Sequence, residues 1–151
     1  MPKLKKAFTL IELLVVIGIL AILLTIVLIA INPSRQFNMS NDTKRRSDVL
    51  AILNAVHQYA ADPANRGQLP AGIPVGVVGT DEVEISDTGA DLCDLLVPTY
   101  ISALPADPAT GDPVTDCTVA YTTGYEIVQD AQSRVTVLAP QAVTATVSIT
   151  R

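Results

Sequence analysis

The sequence predicts an α+β chain: a long N-terminal helix, its first half apolar enough to span a membrane, followed by a small head of short antiparallel strands. Three observations carry this expectation. From Phe8 to Ile31 the only residues that are not apolar are Thr9, Glu12, Gly18 and Thr25. An amphipathic helical pattern follows and runs to Ala61. Beyond it, turn formers divide the chain into short runs rich in Val, Ile and Thr. At 151 residues the chain accommodates one head and one such segment, not two domains.

The first element opens with a basic stretch, Met1 to Lys6, carrying Lys3, Lys5 and Lys6. Leu13 to Ile31 then gives 19 residues without a charge, or roughly 28 Å of helix, close to the hydrocarbon thickness of a bilayer. A core helix of a soluble protein is rarely apolar around its whole circumference over this length. The segment is expected to span a membrane, with its basic flank cytoplasmic and its C-terminus outside.

At Asn32-Pro33-Ser34 the pattern is interrupted. Proline has no N–H and clashes with the preceding turn, so the helix is expected to kink or stop there. The second helix is expected from about Ser40 to Ala61, ending at Asp62-Pro63. Its apolar residues Val49, Ile52, Leu53, Val56, Tyr59 and Ala60 share one face. Lys44, Arg45, Arg46 and Asp48 are assigned to the other surface.

The head then begins with a punctuated loop, Leu69-Pro70, Gly72, Pro74, Gly76 and Gly79, around a short strand near Val75 to Val78. Ala90 to Leu96 is expected to form a helical turn carrying Cys93. Leu104 to Pro113 is dense in turn formers. Strands are expected at Thr118 to Tyr121, Tyr125 to Val128 and Arg134 to Leu138, the last two joined by a hairpin loop at Gln129 to Ser133. A final half-buried strand is read from the alternation of Val143, Ala145, Val147 and Ile149 with Thr and Ser.

Charge divides the chain as sharply as hydropathy does. Up to Gln58 there are seven Lys/Arg against three Asp/Glu, and from Tyr59 onward three against twelve. The acidic head argues against nucleic-acid binding, which needs clustered cations for phosphate. Aromatic residues are only 4% of the chain, so the head core is expected to be aliphatic. Cys93 and Cys117 form an isolated pair that most often closes a disulfide outside the cytoplasm; two buried free thiols are the alternative.

Glu12 is the anomaly inside the apolar run, since a central acid costs about 2.5–3.5 kcal/mol on insertion scales and less near the interface. Its context is Lys5-Lys6-Ala7-Phe8-Thr9-Leu10-Ile11-Glu12. This resembles the class III signal of type IV prepilins and pseudopilins: a short basic leader, a cleavage point before Phe, and Glu four residues further on. The family usually has Gly where this chain has Ala7. An ordinary secretory signal differs, with a shorter apolar core followed by a small-residue cleavage site.

The resemblance implies cleavage by prepilin peptidase between Ala7 and Phe8, methylation of the new Phe8 amine, and retention of the helix as an anchor. It implies that Glu12 of one subunit meets the Phe8 amine of its neighbour, about 6 Å along the helix axis, as helices pack into a homo-oligomeric filament. The implied fold is pilin-like, with the long helix packed on a small antiparallel sheet. Its parts would be residues 1–7 as leader, 8–31 as transmembrane and assembly helix, 32–61 as the soluble half of the long helix, and 62–151 as the head. Implied partners are the peptidase, the pilus or secretion assembly machinery and the membrane. The implied location is a single-pass inner-membrane protein that passes into a surface or periplasmic filament. Major pilin, minor pilin and pseudopilin all fit.

Other candidates have plainer readings. Asp107, Asp112 and Asp116 lie in a turn-rich loop where some pseudopilins bind calcium. Calcium takes six to eight oxygens, whereas three carboxylates without EF-hand spacing are present, so turn formation is expected, with calcium the alternative and no other cofactor implied. His57 stands alone, with no Cys or second His nearby, and is read as a surface or hydrogen-bonded helix histidine, with a ligand the alternative. Lys44-Arg45-Arg46 is read as a solvated or intersubunit face, with contact to anionic headgroups or DNA the alternative. No phosphate loop, metal cluster or nucleophile motif is found, and no enzyme is expected. The competing readings are an unprocessed, membrane-anchored binding domain and an enzyme released by cleavage beyond Ile31.

Mature protein from the native envelope is accordingly expected to begin at N-methylated Phe8. N-terminal mass spectrometry checks this; an intact Met1, or a start beyond Ile31, refutes it.

Overall fold

The computed structural model describes residues 8–151; Ala7 and the basic leader lie outside the described residues. The chain divides into two compact units, one ending at Phe37 and the other running from Asn38 to Arg151.

Helix α1 spans Leu10–Ile31 and buries none of its side chains. Over an 18-residue stretch its mean hydropathy reaches 3.4, and its 22 residues are long and apolar enough to cross a membrane. Asn32 ends α1 in the left-handed region, at φ 47°, a conformation Asn tolerates better than most residues. Helix α2, Pro33–Ala61, begins immediately afterwards. Its Pro33 occupies the first helical position, where a missing N–H costs nothing. The carbonyl of Asn32 accepts from Arg35 N at 3.1 Å, and the Ser34 hydroxyl meets Asn32 Oδ1 at 2.8 Å. One residue therefore stops the first helix and starts the second. The second helix begins seven residues before Ser40, where periodicity placed it, because residues 34–41 hold only Phe37 and Met39 as apolar residues, two apart and off any helical stripe.

In the head, β1 (Val83–Ser86), β2 (Thr122–Gln129), β3 (Val135–Ala139) and β4 (Val147–Thr150) form one sheet in that order. Every neighbouring pair is antiparallel. Helix α2 supplies Val49, Ile52, Leu53 and Val56 to a single aliphatic core, and the sheet answers with Ile85, Tyr125, Ile127, Val135, Val137 and Val147. Alternation in β2 and β3 turns Tyr125, Ile127, Val135 and Val137 to the helix. A short helix α3, Cys93–Leu96, adds Cys93 and Leu96.

Several strand expectations are corrected. Val83–Ser86 is a strand that the sequence reading missed, since only two of its residues are apolar. Val75 to Val78 is no strand; Val75 makes one isolated parallel bridge to Gln129, because Asp81 draws the following residues into a turn. Thr118 to Tyr121 precedes the strand, which starts at Thr122. There Asp116 instead holds Thr118 in a local turn through its amide and hydroxyl. The last strand starts at Val147, because Thr144 is held by Asp42 of α2.

Cys93 and Cys117 are joined, with Cα atoms 5.5 Å apart. The bridge ties α3, part of the core, to the loop that leads into β2. In native, unreduced protein neither thiol is expected to be alkylated. Replacing the pair by Ser should lower unfolding free energy by about 3 kcal/mol for a loop of this size, measured by urea denaturation. Full alkylation without reductant would show the bond is absent.

Candidate functional site

The N-terminal site is built by a capping box. Thr9 is the N-cap of α1, extended at φ −80° and ψ 152°, so the helix starts at Leu10 and Phe8 precedes it. The Glu12 amide donates to Thr9 Oγ1 at 3.3 Å. In return, Glu12 Oε2 accepts from the Thr9 amide at 2.8 Å and from the Thr9 hydroxyl at 2.7 Å. Two backbone donors that the helix geometry leaves unpaired are thereby satisfied reciprocally. Sequence reasoning treated Glu12 only as a partner for a neighbouring chain. The Thr-x-x-Glu spacing that signals a capping box stands at residues 9–12 and was open to reading.

This arrangement keeps a carboxylate supplied with donors where the surroundings are apolar. It also leaves Phe8, 80% exposed, outside the helical hydrogen-bond ladder, as an accessible main-chain segment. Beyond Glu12, α1 presents an apolar surface interrupted only by Gly18 and by Thr25, whose hydroxyl returns to the Ala21 carbonyl.

In the head, Lys44 and Arg46 are exposed as the sequence suggested, but Arg45 and Asp48 are not. Arg45, assigned to the outer surface, is buried at 3% exposure. Its guanidinium makes a two-pronged pair with Asp107, Nε to Oδ2 at 2.6 Å and Nη2 to Oδ1 at 2.9 Å. Nη1 donates to Asp42 Oδ1 at 2.8 Å. Asp42 also accepts from the amides of Val143 and Thr144 at 3.2 and 2.7 Å, and from the Thr144 hydroxyl. Asp48 is half-buried and accepts from the Tyr125 hydroxyl at 2.8 Å. The reason is positional: Arg45 and Asp42 continue the stripe of Val49, Ile52 and Val56 at helical spacing. A buried charge is retained only when paired and hydrogen-bonded.

These contacts set the titration. Burial pushes the Asp42 carboxyl up, but hydrogen bonds from Thr144, Arg45 and Val143 outweigh it and hold it well below the usual carboxylate range. Asp107 is likewise raised by burial and more strongly lowered by Arg45 and the Ala109 amide. Asp48 goes the other way, because its burial exceeds the help from Tyr125. Glu126 is raised by burial and by the nearby Glu82 and Glu84.

The three aspartates of the turn-rich loop are not brought together as a ligand set. Asp107 is committed to Arg45, Asp116 accepts from the Thr118 amide and hydroxyl at 2.9 and 2.6 Å, and Asp112 is exposed. Among the described residues, no three His, Cys, Asp or Glu side chains are placed to hold a metal ion. His57 is half-buried, and its Nε2 has no hydrogen-bond partner among the described residues. Gly124 sits at φ 71° against the Asp107 loop, where an added Cβ would lie 3.0 Å from Thr110 and 3.1 Å from Asp107.

Comparison with known families gives one match: the prokaryotic N-terminal methylation motif, over residues 2–28. This is the class III prepilin signal of type IV pilins and pseudopilins, and it supports a type IV pilin-like precursor. No curated protein and no solved structure matches the chain.

Two outcomes follow from the ion cluster. Arg45→Ala should destabilise the head by about 3–5 kcal/mol, because Asp107 would remain buried and uncompensated. Asp42 and Asp107 have depressed folded pKa values, so their contribution is complete above the unfolded carboxylate range near pH 4 and is lost as pH falls below it. Asp48 and Glu126, with raised values, favour the folded state slightly on first acidification. Thermal melts of wild type should therefore change little down to about pH 5 and fall steeply below about pH 4. In Arg45→Met/Asp107→Leu the steep limb should weaken.

Proposed function

We propose that this chain is a structural subunit of a type IV pilus-like or pseudopilus filament. It is inserted in the membrane by α1 with its head outside, and it is cut by prepilin peptidase between Ala7 and Phe8 and methylated on the Phe8 amine. The single observation that carries the reading is the pairing of a matched methylation motif with a 22-residue apolar helix that starts just after Phe8 and buries nothing of its own. A solvent-facing apolar surface of that extent requires cover. A bilayer covers it before assembly, and like helices cover it afterwards.

Assembly then rests on helix packing, with Glu12 meeting the neighbour's Phe8 amine. In the separate subunit the Glu12 carboxylate has Thr9 as its donor; in the filament it gains an ammonium partner. A carboxylate and an amine buried together in an apolar bundle offset each other's desolvation, whereas either alone is costly. The basic leader adjoining Phe8 supports the cytoplasmic placement of the cut. No catalytic role and no cofactor are part of this proposal; the head is a surface-bearing domain.

The test is filament assembly in the native host. Wild-type protein should appear in sheared surface or periplasmic filaments. Glu12→Val should insert in the membrane at least as well, because a charge is removed from the span. Its filament-to-membrane ratio should nonetheless fall by orders of magnitude, matching the about 3–5 kcal/mol lost when one partner of a buried pair is removed. Glu12→Gln should retain more, since the amide still closes the capping box. With processing at Phe8 checked separately, wild-type filament levels from a processed Glu12→Val protein would rule out the charge pair. Absence of wild-type filaments would rule out the subunit role.

A further inference from the structure

The head presents an ordered apolar tip and, elsewhere on its surface, a groove of matching character. The tip lies in the loop between α2 and β1. Val75, Val77 and Val78 are exposed at 70%, 65% and 44%, yet the loop is firmly built. Asp81 Oδ2 accepts from the Val77 amide at 2.7 Å, and the Thr80 and Asp81 amides return to the Val77 carbonyl at 3.2 and 3.1 Å. Asp81 packs so closely on Gly76 that a Cβ there would lie 2.3 Å from the Asp81 Cβ. The Gly76 amide is anchored to the Gln129 carbonyl of β2 at 2.9 Å. Three valines are thus held outward on a hydrogen-bonded turn, in the same loop as Asp81 and Glu82, whose carboxylates accept from the Val77 and Gly79 amides. Exposed apolar groups held in place and flanked by charge are the usual character of a contact surface.

The groove runs between α2 and the segment that precedes β4. Met39, Thr43 and Arg46 line it from α2, and Thr144 and Ala145 from the other side, enclosing about 190 Å³. Its floor, Asp42, is already neutralised by Arg45. Met39, Ala145 and the adjoining Val143 give exposed apolar walls. Arg46 stands exposed at the groove and closes no ion pair with any described carboxylate. Tip and groove therefore match in two respects: valines against Met, Val and Ala, and an acidic rim against a free guanidinium.

We propose that the Val75–Val78 tip of one copy docks in the Met39/Arg46/Ala145 groove of another copy of this chain. The contact is heterologous, tip to groove, so it propagates rather than closing a two-fold dimer. That is the symmetry a filament needs. The inference rests on the proposed function only in that copies must meet. Charge complementarity fixes the register of such a contact more than its strength, and the valine tip supplies the apolar area.

The experiment uses the full-length chain in its native membrane, with Val77→Cys and Ala145→Cys placed together and singly, treated with a short bismaleimide. The double variant should give a ladder at multiples of the chain mass on reducing gels, and each single variant should give little. Arg46→Glu should reduce the ladder at least tenfold, and Arg46→Glu/Glu82→Arg should restore much of it. Folding of every variant is checked by closure of the Cys93–Cys117 bond. Filaments without a ladder overturn the docking inference and leave the subunit role standing. A ladder in membranes without wild-type filaments keeps the contact and removes the filament role. Equal dimer from Val77→Cys alone means that tips meet tips, and adducts of other masses mean a different partner; either overturns the inference.

Discussion

A guanidinium buried between a helix and a sheet must find carboxylates or leave the interior, and in this head that requirement organises the surrounding chain. Arg45 sits on the core face of α2 and takes both oxygens of Asp107 and one of Asp42. Asp107 in turn orders its own loop, through the Ala109 amide, and lies against β2 through its own amide to the Thr123 carbonyl. Asp42 holds the amides of Val143 and Thr144 and so positions the approach to β4. Three segments remote in sequence are thus fixed by one side chain. A hydrophobic replacement of similar volume often matches such a cluster in stability; the cluster's distinguishing effect is that its hydrogen bonds have directions. The groove proposed for docking is a product of those directions, since Thr144 and Ala145 form its wall where Asp42 holds them.

The N-terminal unit is governed by the opposite situation. There α1 buries none of its side chains, and its one acid is served by Thr9. The carboxylate is the one polar side chain in the first turn, and its two donors come from the residue that begins the helix. Helix start, solvation of the acid and accessibility of Phe8 are consequently one local structure. On the proposed reading, assembly adds a second partner to a group that is already tolerated in the membrane, which lets unassembled subunits persist there.

Much of this was legible in the sequence where periodicity is long. The apolar run of α1, the stripe Val49, Ile52, Leu53 and Val56, and the strands around Tyr125 and Val137 all follow spacing rules that short-range chemistry enforces. What escaped reading was decided by tertiary partners. Arg45 looked solvated because it stands between Lys44 and Arg46, although its position four before Val49 places it on the buried stripe. Val83–Ser86 has two charge-neighboured apolar residues and becomes a strand only because β2 lies beside it. Val75 to Val78 has the composition of a strand, but Asp81 competes for its backbone donors and wins. Of the candidate site, the processing signal and Glu12 were visible at once. The capping role of Glu12 was visible in principle, at a spacing of three residues.

The cystine and the buried ion pair share one segment of chain. Asp107 lies within the ring of chain closed by Cys93 and Cys117. Closing that ring narrows the volume open to the segment bearing Asp107 in the unfolded chain, and so favours its meeting with Arg45. On the proposed reading, which puts the head on the oxidising side of the bilayer, one covalent bond kept by that compartment supports an ionic contact buried elsewhere in the head.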